Sequence, residues 1–314
     1  MKYQEWSTAP LCPGGRLALE AAGVPSLLAL VLSARGVESA DQARRLLDPV
    51  GETLLDPMGM AGMDRAAARV RLALERKESI AVYGDYDVDG ITSTCLLLDV
   101  LTRRGGQVTA YIPDRLEEGY GLNREAAERL ARAGVSLIIT VDCGITAVEE
   151  VAYAKELGMD VVITDHHACK DTLPPAQAVV NPQRPDCPYP FKGLAGVGVA
   201  LKLAMAVAGP EGADAVFADY CDLAAVGTVA DVMPMTGENR AIVRAGLERL
   251  NPARRTGFAH LIRCAGVEDK PVTATSIGYL LAPRINAAGR MGQADVAREL
   301  LLTQDDARAE LLAQ

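Results

Sequence analysis

The fold class this sequence predicts is α/β, a parallel β-sheet with helices on both faces followed by a largely helical segment, and three observations predict it. Between residues 79 and 164, short apolar runs alternate with helix-length segments, the pattern of strands joined by crossover helices. Two of those runs, SLIITV and DVVIT, are apolar almost without interruption, as strands covered on both faces must be. Beyond the proline-rich stretch NPQRPDCPYP, the apolar spacing is mostly helical.

Taken in order, residues 1–50 predict short helices in an N-terminal helical extension, with apolar positions at Leu27, Leu28, Leu30 and Val31 and from Ala43 to Leu47 before Asp48-Pro49. A helix from Asp64 to about Arg76 leads into a strand over 79–84. Helix 91–104, strand 107–112, helix 123–133, strand 136–141, helix 146–158 and strand 160–164 follow. NPQRPDCPYP holds too many prolines for a helix or a central strand. Helices are expected after it at about 196–208, 213–230, 239–250, 256–265 and 293–302. The main domain is expected over 51–300, and 301–314, ending in ARAELLAQ, as the start of a connector helix to an absent second domain.

Composition narrows the function classes. With 314 residues and 49% hydrophobic content, the chain can bury one large α/β core or two smaller ones. A net charge of -9 argues against a generally basic surface that holds nucleic acid by counterion release, although a local groove is compatible with it. Three Phe and one Trp argue against a broad base-stacking platform. Seven scattered Cys form no CxxC pair and suit reduced thiols in a cytoplasm. The start MKYQEWSTAP lacks the apolar core of a signal peptide, and the run from Leu27 to Leu32 is too short to span a bilayer. A soluble cytoplasmic protein is expected.

Chemistry concentrates at three strand ends. YGDYDVDG supplies Asp85, Asp87 and Asp89, TVDCG supplies Asp142, and TDHH supplies Asp165, His166 and His167. In open α/β sheets ligands bind at the carboxyl ends of strands, so these motifs can converge on one crevice. Carboxylates joined by one or two imidazoles suit Mn²⁺ or Mg²⁺. Cys143 follows Asp142 directly and points to the opposite side of an extended strand, which disfavours a zinc thiolate site. Two ions about 3.5–4 Å apart need a shared carboxylate, and Asp142, alone on its strand end, is the natural bridge. Single aspartates after strands are also common helix caps, and Asp89-Gly90 could be one. Convergence of all three strand ends favours a metal site, since two of only three histidines in the chain stand side by side there.

Other candidates carry less. Arg115 in IPDR follows a strand end, and Arg284, Asn286 and Arg290 read as a Gly/Pro-punctuated turn whose guanidinium forks could grip phosphates. For Arg290 an intramolecular ion pair is the competing reading. GLAGVGVALK, from Gly193 to Lys202, lacks the spacing of a phosphate loop and reads as close helix packing. His260 reads as a helix-surface or core residue.

In this order YGDYDVDG, VDCG and DHH resemble the motif set of the DHH phosphoesterases, with Asp231 in GTVADVMP matching a fourth family aspartate. GDYDVDGITS, IPDRLEEGYGL, TDHH and APRINAAGRMG together resemble the single-strand-specific 5′→3′ DNA exonucleases of that family, over the whole chain. The resemblance implies hydrolysis of phosphodiester bonds in single-stranded DNA by a metal-activated water, in DNA repair and recombination, with two Mn²⁺ or Mg²⁺ ions and no organic cofactor. It implies that Asp89, Asp142, His166 and Asp231 hold one ion while Asp87 and Asp142 hold the second. Together with His167, which faces the scissile phosphate, these form the catalytic set. Asp165 orients the histidine pair from behind. Related small phosphatases carry a histidine four residues before Asp87. Here that place is Tyr83, a poor ligand, so Asp85 is the candidate substitute, or else a turn-forming residue.

The same resemblance gives Arg115, His167, Arg284, Asn286 and Arg290 to the substrate, and implies that this lobe, without a second domain, is weakly active or inactive on DNA. The implied partners are single-stranded DNA, a single-strand-binding protein and a recombination helicase; no membrane partner is expected, and the chain should be a monomer. Two other functions compete. One is a DHH hydrolase of small substrates such as oligonucleotides, pyrophosphate or cyclic dinucleotides. The other is a non-catalytic replication scaffold of the same fold, which the intact acidic and histidine motifs disfavour.

Overall fold

The structure, a computed structural model, describes residue 7 and residues 13–47, 54–115, 118–119 and 121–314. Its contacts divide the chain into two units, Met1–Thr53 and Leu54–Gln314. The smaller holds α1 (Pro13–Ala21), α2 (Ser26–Ser33) and α3 (Ala40–Leu47) around Leu19, Ala29, Leu32 and Ala43. Short helices are therefore present as expected, but the buried stripe of α2 runs through Ala29 and Leu32, and Leu27 is 75% exposed. Asp48-Pro49 and the expected boundary at residue 50 lie outside the described residues.

The larger unit is built on five parallel strands. After α4 (Met63–Glu75) come β1 (Ser79–Tyr83), α5 (Val88–Arg103), β2 (Gln107–Tyr111), α6 (Arg124–Arg132), β3 (Leu137–Val141), α7 (Val148–Glu156), β4 (Asp160–Thr164) and β5 (Ala178–Val180). The sheet order is β2-β1-β3-β4-β5, with every pairing parallel. Alternation along the strands sends Ile80, Val82, Leu137, Ile139 and Val162 into one core and Ala81, Tyr83, Ile138, Val161 and Ile163 into another. The first core packs against α4, α5 and the later helices, the second against α6 and α7. Both faces are covered, which is why these strands read as continuous apolar runs.

β5 was not legible in the sequence. Its three residues, AVV, are too few to show a period, and it becomes a strand because β4 offers it a free edge.

The helical segment comprises α8 (Gly196–Ala208), α9 (Pro210–Ala230), α10 (Gly237–Leu250), α11 (Thr256–Cys264), the single turn α12 (Ala274–Ser276), α13 (Ala282–Arg290), α14 (Ala294–Leu302) and α15 (Asp306–Ala313). Here the reading of Arg284, Asn286 and Arg290 as a turn is corrected. A π-helical turn, Ile277–Leu281, runs straight into α13, and all three residues are helical. Pro283 falls in the first turn of α13, where a missing N–H is tolerated, and Leu281, Ile285 and Gly289 form a buried stripe whose last member is a glycine. That glycine hid the helical period. At the C-terminal end α15 packs on α11, with Ala309 buried and Asp306 Oδ1 2.8 Å from Nε2 of the buried His260.

Candidate metal centre

All three chemical motifs lie at the carboxyl edge of the sheet. β1 ends at Tyr83, and the loop through Asp85 delivers Asp87 as the N-cap of α5, accepting from Gly90 N at 2.9 Å. The cap reading suggested for Asp89 therefore belongs to Asp87. Asp89 sits in the first turn of α5, only 1% exposed. Asp142 leaves β3 with a left-handed backbone, φ 59°, a conformation that aspartate tolerates better than most residues. Asp231 caps the C-terminus of α9.

Three groups of potential ligand atoms interlock, each with its atoms within 4.8 Å of one another: Asp85 with Asp87 and Asp142, Asp89 with His166 and Asp231, and Asp142 with His166 and His167. Asp142 and His166 each belong to two of them. His166 Nε2 lies 3.1 Å from Asp142 Oδ1, 3.6 Å from Asp231 Oδ2 and 3.9 Å from Asp89 Oδ2, yet this buried nitrogen makes no hydrogen bond.

The electrostatics of the cluster follow from crowding. Burial, then the charge of Asp87, pushes Asp85 up to about 7. Burial and Asp87 likewise push Asp231 up to about 6. Asp89 and Asp142 are raised well above the ordinary range by burial and then by neighbouring carboxylates, Asp231 for the first and Asp89 for the second. His166 is driven down to about 4 by burial and by His167, so its imidazole is neutral at physiological pH. Close carboxylates around a neutral, unbonded ring nitrogen form a donor set suited to divalent cations.

Two devices hold the ligand atoms in place. Asp165, 1% exposed, accepts through Oδ1 from His166 N at 2.7 Å, His167 N at 3.1 Å and His167 Nδ1 at 2.7 Å, and through Oδ2 from Ile145 N at 2.9 Å. Burial alone would raise its pKa; the bonds from His167 and Ile145 hold it below the usual range. The bond to Asp165 in turn raises the pKa of His167.

The second device corrects the reading of GLAGVGVALK as helix packing alone. Asp89 accepts from Gly196 N at 2.7 Å and Val197 N at 2.8 Å, so the N-terminus of α8 grips its carboxylate with free N–H groups and a favourable dipole. A Cβ on Gly196 would stand 2.5 Å from Asp142 Oδ1, so this position excludes a side chain. Gly196 and Val197 were missed because the motif was compared with phosphate loops; a glycine opening an apolar helix was the available signal.

The remaining candidates fall around this centre. Tyr83 is fully buried on the opposite sheet face, stacked on Tyr111 at 5.1 Å and donating its hydroxyl to Gly121 O at 2.8 Å, and so does not join the cluster. Cys143 also turns away, its Sγ 3.8 Å from Tyr83 O. Arg115 is exposed and places its guanidinium 5.2 Å from the ring centroid of Tyr86, inside the Asp85–Asp87 loop. Leu116, Glu117 and Tyr120 of IPDRLEEGYGL lie outside the described residues.

α13 crosses the same end of the molecule. Its Gly289 packs on the carbonyl of Tyr86, and Gly278 in the preceding π-turn faces Val229 near the end of α9. Arg284 and Arg290 are exposed on this helix and Asn286 is half-buried. Arg284 donates to Leu280 O at 2.7 Å, and Arg290 shows no ion pair among the described residues.

A covered parallel sheet with Asp- and His-bearing loops at its carboxyl edge defines the class: residues 79–228 match the DHH family, N-terminal domain. Within it, the chain is 47% identical over 292 residues to the single-stranded-DNA-specific exonuclease RecJ of Bacillus subtilis, covering 92% of this chain and 36% of that protein. The structure of Thermus thermophilus RecJ in complex with Mn²⁺ is 36% identical and superimposes with a TM-score of 0.80, covering 98% of this chain and 43% of the other. A structure of exonuclease RecJ bound to manganese, 40% identical, gives a TM-score of 0.75 over 83% of this chain and 66% of its own. The chain thus spans only part of the length of each relative. Among the described residues no helix is long and apolar enough to cross a membrane, and their six cysteines are all free.

Proposed function

We propose that this chain is the catalytic DHH part of an exonuclease that degrades single-stranded DNA in the 5′→3′ direction, in DNA repair and recombination. The observation that carries the reading is the interlocking of three ligand groups through Asp142 and His166. The likeness to single-stranded-DNA-specific exonucleases supports the substrate.

The donor set fits two Mn²⁺ or Mg²⁺ ions, one on Asp89, Asp142, His166 and Asp231 and one on Asp85, Asp87 and Asp142. Bound there, such ions would lower the pKa of a coordinated water so that hydroxide, the proton having passed to solvent, is available near neutral pH, and would offset negative charge on the phosphoryl oxygens. The chain's own residues do the rest. Asp142 serves both positions, and α8 fixes Asp89 so that its oxygens cannot drift. His167, oriented through Nδ1 by Asp165 and holding its proton to higher pH than a free imidazole, offers positive charge to the scissile phosphate. Arg115, Arg284, Asn286 and Arg290 place the strand along the rim. We assign the protein to the cytoplasm as a monomer, with a single-strand-binding protein and a recombination helicase as its partners.

Single strands labelled at the 5′ or the 3′ end, incubated with Mn²⁺ or Mg²⁺, test the reading. A 5′ label should leave as mononucleotide at once, while a 3′ label persists on shortening strands. Faster hydrolysis of dinucleotides or pyrophosphate than of long strands would move the assignment to a small-substrate hydrolase. Absence of specific Mn²⁺ binding would point to a scaffold.

A further inference from the structure

A second polar site lies at the far end of the helix that carries Asp89 and beside the middle of the helix that Asp231 caps. Ten to fourteen residues of α5 separate Asp89 from Asp99 and Arg103, which at 1.5 Å per residue is about 15–21 Å. There, between the end of α5, the middle of α9, the end of α10, the start of α11 and the end of α14, is a cavity of about 390 Å³. Arg103, Arg249, Arg254 and Arg255 line it, and among the described residues Leu302 is the one aliphatic side chain in its wall.

The charges do not cancel. Arg103 Nε is 3.0 Å from Asp99, Arg249 Nε and Arg255 Nε lie 3.4 and 3.1 Å from the buried Asp222, and Arg249 also approaches Asp219 at 3.8 Å. Arg254 is exposed and makes no ion pair among the described residues. Four guanidiniums thus stand against three carboxylates in a chain whose net charge is -9. Each guanidinium has five N–H donors, so those already paired keep donors to spare for an anion. Buried Nε of Arg249 makes no hydrogen bond. Thr256, in the same wall, opens the nine-residue α11, whose first turn receives no side-chain cap.

We propose that this cavity binds the diphosphate group of a small ligand, either free inorganic diphosphate or a nucleoside diphosphate. Its polar wall offers little to an apolar peptide anchor, and its volume is at the small end for ligand pockets. Guanidinium forks and helix N–H groups together match the several charged oxygens of a diphosphate. An occupant would touch α5, α9 and α11 at once, far from the metal centre.

Calorimetric titration of inorganic pyrophosphate into metal-free protein held in EDTA, with ADP in parallel, tests the site. Saturable binding is expected, weakened at least tenfold in Arg254→Glu without a change in melting temperature, and unchanged in Asp142→Ala. Equal affinity for both probes identifies the diphosphate alone as sufficient; tighter ADP binding identifies a nucleotide; either result supports the site. No saturable binding to the wild type, wild-type affinity in Arg254→Glu, or loss of binding in Asp142→Ala overturns the proposal.

Discussion

Toward the far end of α5, Asp222 is 1% exposed and meets the guanidiniums of Arg249 and Arg255; in the first turn of the same helix Asp89 is equally buried, and the charges that bear on it are those of Asp231 and Asp87. Both carboxylates have lost their water, but only the first is compensated by cations of the chain itself. Asp89 has two N–H groups from α8 and a neutral imidazole at 3.9 Å, enough to position it and not enough to neutralise the cluster. A buried pair is a finished piece of structure, whereas buried carboxylates that raise one another's pKa are a demand for an external cation.

Asp142→Ala should separate these two kinds of burial most sharply. As the shared member of two ligand groups, its loss should lower turnover by more than the roughly 10²–10³-fold that removal of one electrostatic donor costs. Asp85→Ala, which touches one group, should do less. In the metal-free protein above pH 7 the relief of carboxylate crowding offsets the strain of alanine at φ 59°, so Asp142→Ala should change the melting temperature less than Asp222→Ala does. Near-normal turnover with unchanged metal stoichiometry would show that Asp142 is not shared.

Asp222→Ala should have the opposite profile. It leaves two half-buried guanidiniums facing each other, a defect worth about 3–5 kcal/mol when a buried pair is broken. Urea denaturation measures this directly, and a loss below about 1 kcal/mol would mean that the far end is no more self-sufficient than the metal end. Metal stoichiometry should not change.

Acidity gives a third separation. An unfolded aspartate titrates near 4. In the folded metal-free chain Asp85 titrates at about 7 and Asp231 at about 6, so between these values the folded state keeps protons that the unfolded state has released. Their contribution to stability is complete below about pH 4 and is lost as pH rises through 6 and 7. Asp89 and Asp142, also raised, act in the same direction, as does His167 in its own range. His166, lowered to about 4, opposes them, its contribution being lost as pH falls below about 6.5. One imidazole against four carboxylates leaves a net fall. The melting temperature in EDTA should therefore drop from pH 5 to pH 8, and saturating Mn²⁺ should flatten the slope. A rise across that window without metal would contradict the crowding.

The two ends also differ in how much of them could be read from sequence. Asp87, Asp142 and His166 declared themselves because each motif closes an apolar strand, and strand ends in such sheets share one edge. The central strands and the helices from α8 to α11 were legible because their apolar runs and spacing are long enough to carry a period. β5 was too short, and α13 hid its period behind Pro283 and Gly289. The Arg-lined cavity was invisible for another reason. Asp99, Asp222, Arg249 and Arg255 come from separate helices with no local motif, and only packing brings them together. Gly196 lies between these cases, since its role depends on contact with Asp89 and Asp142, far away in sequence.

The smallest effect compares arginines across the two ends. Arg255 is engaged with Asp222, so Arg255→Ala should lower the melting temperature and leave strand binding intact. Arg284 is exposed on α13, bonded among the described residues to the carbonyl of Leu280 in the preceding turn, on a segment packed against Tyr86 and Val229 beside the metal centre. Its charge is therefore available to a phosphate. Arg284→Ala should leave melting temperature and metal occupancy unchanged while weakening single-strand binding, and the log–log dependence of affinity on salt should become shallower by roughly one unit, the signature of one lost phosphate contact. A salt slope equal to that of the wild type, with a lowered melting temperature, would place Arg284 with Arg255 among the arginines that serve the fold.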